Sequence, residues 1–71
     1  MIEVTQRIKE EIANLIKEGE KDGQAILTTL VECEVIDSEY PQIYRSDGTF
    51  DESLDNIIQD AVIAEIEEQL K

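Results

Sequence analysis

The chain has 71 residues, eighteen of them acidic and six basic, with no histidine, no tryptophan and a net charge of −12. A surface this acidic repels nucleic acid and anionic lipid, and it attracts basic protein surfaces through a long-range, salt-sensitive field. The lack of histidine excludes the hydrolytic triads and dyads that use it and leaves a transition-metal site short of its usual ligands, while the single cysteine, Cys33, excludes an intramolecular disulfide.

The length predicts one small acidic domain over residues 1–71, near the size at which a single core is only just sufficient. Twenty Ile, Leu and Val residues against one Phe and two Tyr predict a thin aliphatic core, for which self-association is a natural supplement. No apolar run approaches the roughly 18 to 20 residues that span a bilayer. The first residues, with Glu3 and no basic stretch, do not form a signal peptide, so a cytoplasmic location is expected. Cys33 stands between Glu32 and Glu34, which disfavours its thiolate and predicts a small buried side chain.

In chain order, Ile2 to Glu18 is predicted as a helix. Val4, Ile8, Ile12, Leu15 and Ile16 make one apolar stripe about 120° wide, the breadth of a helix lying on a core. Glu3 with Arg7 and Arg7 with Glu11 stand four apart on its outer side, and Gly19 is the expected C-terminal stop. From Gln24 to Ile36 the period is ambiguous. As a strand, Leu27, Thr29, Val31, Cys33 and Val35 share a face; as a helix, Ile26, Leu27, Leu30 and Val31 cluster until the pattern degrades beyond Val31. Enrichment in Thr, Val and Ile favours the strand. Asp37 to Pro41 reads as a turn, Gln42 to Arg45 as a short second strand with Ile43 facing the core, and Ser46-Asp47-Gly48 as a further turn.

Thr49 to Leu70 is predicted as the longest helix, opened by a capping box of Thr49 with Glu52. Leu54, Ile57, Ile58, Ala61 and Val62 define its core face. Ile63, Ile66 and Leu70 then form a second apolar strip displaced by well over ~90° around the axis. Either another part of the chain wraps this strip or it meets a second subunit or another protein.

Two stretches invite a chemical reading. Asp47-Gly48 with Asp51 and Glu52 suggests a calcium loop, but placing Gly48 at the loop's glycine position leaves Ile43, Arg45 and Leu54 where ligands are required. Glu52-Ser53-Leu54-Asp55 resembles the Asp-Ser-Leu motif of acyl carrier proteins, which opens a helix and carries a phosphopantetheine arm on its serine. The resemblance spans only these residues, with Glu52 for the Asp and Asp51 for the preceding Gly. It implies modification at Ser53 and two further helices beyond it, where eighteen residues remain. Tyr40 and Tyr44, beside Pro41 and Arg45, are candidate interface aromatics.

The expected fold is therefore α+β, two amphipathic helices flanking a small antiparallel hairpin in the order helix-strand-strand-helix, with a three-helix all-α domain as the alternative. The expected function is a non-enzymatic acidic interaction module or inhibitor docking on a basic protein surface. Its extreme form is a phage or mobile-element nucleic-acid mimic, with Asp51, Asp55, Asp60, Glu67 and Glu68 in place of phosphates. The alternatives are a structural homo-oligomer, in the simplest case a dimer joined through Ile63, Ile66 and Leu70, and a carrier modified at Ser53. No catalytic residue, metal or cofactor is assigned.

Overall fold

The computed structural model describes residues 2–71, over which four α-helices and one short 3-10 helix follow one another with no β-strand. The α+β expectation is thereby corrected to an all-helical fold. The all-α alternative had the class, with four helices in place of three.

The first helix, α1 (Gln6–Lys17), starts later than its apolar pattern because Thr5 caps it, its hydroxyl accepting from the Ile8 amide at 3.3 Å. Ile8 and Ile12 are fully buried, and Leu15 and Ile16 pack against the same core. The helix stops at Gly19, whose φ of +108° lets the Gly19 and Glu20 amides turn back onto the carbonyls of Ile16 and Leu15.

The predicted strand from Gln24 to Ile36 is instead α2 (Gly23–Glu32) followed by α3 (Val35–Glu39). Asp22 starts α2 by accepting from the Gln24 amide, a cap that β-propensity over the later residues ignores. Ile26, Leu27 and Leu30 are buried, whereas Val31 and Cys33, core positions in the strand reading, are exposed. The expectation of a buried Cys33 is corrected with it. Thr29 fits the helix by bonding its hydroxyl to the Ala25 carbonyl four residues back. The degraded pattern beyond Val31 marks the break between α2 and α3, where Glu34 adopts a left-handed φ of +60°.

The second predicted strand is also absent. Pro41–Ile43 is a 3-10 turn, and of the hairpin only one antiparallel bridge, Tyr44 to Phe50, remains. The Ser46-Asp47-Gly48 turn is where the sequence placed it, with Gly48 at φ +86° and its amide on the Arg45 carbonyl at 2.9 Å. Ile43 is fully buried as expected.

The last helix, α4 (Glu52–Leu70), is capped by Asp51, which accepts from the Leu54 amide at 3.1 Å. Thr49 does not cap it; its amide and hydroxyl both donate to Asp47, which keeps it in the preceding turn. Both α1 and α2 pack on α4, and Ile58, Val62 and Ile66 enter the core from it. Gly23, the first residue of α2, lies so close to the end of α4 that a Cβ there would stand 3.4 Å from Ile66 Cγ2. The two helices therefore run in opposite directions.

Candidate acidic interaction surface

The chain segment 34–55 turns through α3, the 3-10 helix and the bridged loop, and it brings acidic and aromatic side chains to one end of the bundle. Tyr44 and Phe50, joined by their backbone bridge, place their rings 5.7 Å apart with planes tilted by 53°. This is the tilted arrangement aromatic pairs favour. Both remain open to solvent, Tyr44 at 51% and Phe50 at 46% of full exposure. From α3, Asp37 approaches the Tyr44 hydroxyl to 3.5 Å.

Electrostatics shows which other carboxylates gather here. The charge of Asp37 raises the Tyr44 pKa above its ordinary value, with partial desolvation, the hydrogen bond to Asp37, and the charges of Asp55 and Glu34 acting in the same direction. Asp55, in the first turns of α4, also has a raised pKa. Desolvation is the main cause, Asp37 and Glu52 add to it, and the Gln59 amide, donating at 2.8 Å, opposes it. The charges of Asp37 and Glu52 thus act against that of Asp55, and among the described residues none of Glu34, Asp37, Glu52 and Asp55 is in an ion pair. The one arginine of the segment, Arg45, is held by Asp51 at 3.7 Å and donates to the Thr49 hydroxyl at 3.3 Å.

The other residues singled out in the sequence scatter. Tyr40 is buried, its hydroxyl donating to the Glu3 carbonyl at 2.7 Å and accepting from the Thr5 amide at 3.2 Å, so it fastens the N-terminal segment to α3. Of the five carboxylates assigned to a partner-binding face, Asp51 is occupied as a helix cap and Asp55 is half-buried, while Asp60, Glu67 and Glu68 are exposed. At about 100° per residue, Asp60 and Glu67 share the outermost line of α4 and Glu68 lies a further ~100° around the helix. The five do not form one face. Ile66 is 1% exposed and Ile63 and Leu70 pack against the core, so the chain itself covers the second apolar strip. Ser53 is exposed on the first turn of α4, but residues 52–70 form one continuous helix, with none of the two further helices that the carrier resemblance requires after it.

Sequence reasoning missed Phe50, Asp37 and Glu34. An aromatic two residues after a Ser-Asp-Gly turn, and six residues from a tyrosine, was the available signal for the pair. The described residues enclose no pocket, and no three of their His, Cys, Asp or Glu side chains converge as a metal site. None of the helices is long and apolar enough to cross a membrane. Comparison with protein-family models, curated proteins and solved structures finds no match to this chain.

Proposed function

We propose that this chain is a non-enzymatic acidic interaction module that docks on a basic protein surface, as an inhibitor or adaptor of its partner. The observation that carries the reading is the shortage of internal counter-ions. Among the described residues only Glu39, Asp51 and Glu68 form ion pairs with side-chain cations, to Arg7, Arg45 and Lys71. The chain has eighteen carboxylates, so most of its negative charge is left for a partner or for the solvent. The nucleic-acid mimic is the extreme version, and it draws less support because the outermost line of α4 offers only Asp60 and Glu67.

The test is chromatography of defined basic proteins over the immobilised chain, beside an immobilised chain of identical composition and scrambled order. Docking by the folded surface predicts that particular proteins elute at higher salt from the native chain. Identical elution from both would leave the acidity with a solubilising role only. A second reading, a structural homo-oligomer, is favoured by the exposure of four large apolar side chains, Val31, Tyr44, Phe50 and Ile57. Light scattering would then give a dimer or larger mass that persists in high salt. Intact mass measured on the same sample would register any arm on Ser53.

A further inference from the structure

We propose that the Tyr44–Phe50 ring pair, together with Asp37 and Asp55, is the contact point for the basic partner, and that the group it receives is an arginine side chain of that partner. The inference rests on the reading above and adds the place and the chemistry of the contact.

A guanidinium is planar, stacks on aromatic faces and donates in a fixed fork to carboxylates, so it uses a ring and a carboxylate together. An ammonium is a compact, strongly hydrated charge with no planar face to lay on the ring. The two kinds of group occur side by side here. Two aromatic rings are half exposed, and the Asp37 carboxylate is 3.5 Å from the hydroxyl of one of them. The arginines of the chain do not fill the position: Arg45 is engaged by Asp51 and Thr49, and Arg7 by Glu39 at 3.6 Å and the Ser38 hydroxyl at 3.0 Å. A second copy of the chain is a poor occupant, because it brings another net charge of −12 to the same place. Charge complementarity therefore selects a cationic segment, and the exposed rings select arginine within it.

The experiment is an NMR titration of the isotopically labelled chain with oligo-arginine and oligo-lysine peptides of equal length, at matched ionic strength. It is run on the native chain, on the double variant Tyr44→Ser, Phe50→Ser, and on Asp37→Asn. The expected result is arginine binding about threefold or more tighter than lysine, with the largest shifts at residues 44–50 and at Asp37 and Asp55. The double variant should remove the preference while keeping a dispersed, folded spectrum, and Asp37→Asn, which keeps both rings, should weaken the arginine peptide more than the lysine peptide. Equal affinities, with shifts centred on Asp60 and Glu67, would overturn the arginine contact and leave the acidic docking module standing. Failure of both peptides to bind at low salt would overturn both proposals. Shifts at residues 44–50 that depend on protein concentration without any peptide would overturn the proposal and give the ring pair to a second copy.

Discussion

Replacing Tyr40 by Phe removes one oxygen from the interior and leaves the ring in place. That oxygen makes two hydrogen bonds with the segment ahead of α1, donating to the Glu3 carbonyl at 2.7 Å and accepting from the Thr5 amide at 3.2 Å. A hydrogen bond contributes about 0.5–1.5 kcal/mol net, and an orphaned buried partner costs about 1–3 kcal/mol. Glu3 is exposed and Thr5 only half-buried, so water replaces part of what is lost. A loss of about 1.5 kcal/mol is expected on these terms. A domain of this length has roughly 4–10 kcal/mol in total, and a change of this size lowers Tm by roughly 6–12 °C. Urea unfolding followed by circular dichroism should give a lower midpoint with an unchanged slope, because the area exposed on unfolding is unaltered. The Thr5 amide should exchange faster in the variant, since its acceptor is gone. The reasoning would be refuted by a stability within about 0.3 kcal/mol of the native chain, or by an unchanged Thr5 exchange rate. Burial is the main cause of the raised Tyr40 pKa, with Glu39 adding and the Thr5 bond opposing. A raised tyrosine adds stability that is whole below its unfolded value of about 10 and is lost as pH rises through the folded value. In Tyr40→Phe that alkaline loss should shrink.

Glu34 holds its left-handed φ without being glycine, a conformation that costs an L-residue about 1–2 kcal/mol. Glu34→Gly relieves that cost against the greater freedom glycine gives the unfolded chain, so a net gain of about 0.5–1 kcal/mol in urea midpoint is expected; a loss would show that the carboxylate matters more than the turn. Asp55→Asn keeps an acceptor for Gln59 and removes the charge that burial and its acidic neighbours disfavour. The raised Asp55 pKa gives stability that is whole below the unfolded value near 4 and lost as pH rises through the folded one. The variant should therefore melt higher than the native chain at pH 7 and flatten the pH dependence above pH 4; a lower Tm at pH 7 would contradict this. Ile66→Asp places an unpaired charge in the core where α2 meets α4 and should abolish the cooperative melt. A folded monomer in that variant, replacing a native oligomer, would return the Ile63, Ile66 and Leu70 strip to an intermolecular role.

Long helices with one clean stripe were legible, and the middle of the chain was not. Ile8 and Ile12 repeat at a helical interval and are buried, and Gly19 stops α1 where a positive φ was expected. Residues 24–36 failed because they contain two short helices with a break between them, and a periodic reading averages across a break. Val31, Cys33 and Val35 alternate only by accident of that junction: the first is near the end of α2, the second in the turn and the third at the start of α3. The Asp22 cap was the local signal outweighed by β-branched composition. At the surface, composition identified acidic docking as an expectation but not its position. The carboxylates around Tyr44 come from α3 and α4, seven or more residues away on either side, and only the fold brings them together.

The arrangement of the helices decides which charged groups meet at each end of the bundle. Because α2 runs opposite to α4, its start and the end of α4 lie together, as the approach of Gly23 to Ile66 and Leu70 shows. Lys21 precedes that start between Glu20 and Asp22, and Lys71 follows that end, paired with Glu68 at 3.2 Å. At the opposite end, Asp37, Asp55 and Glu34 act on Tyr44 by their charges, Glu52 acts on Asp55, and Arg45 is already engaged by Asp51. Under the proposed arginine contact, the carboxylates around Tyr44 would draw a cationic partner toward the ring pair once it comes within about a Debye length. On that proposal the short-range chemistry then discriminates, because the exposed rings beside Asp37 favour a planar guanidinium over an ammonium.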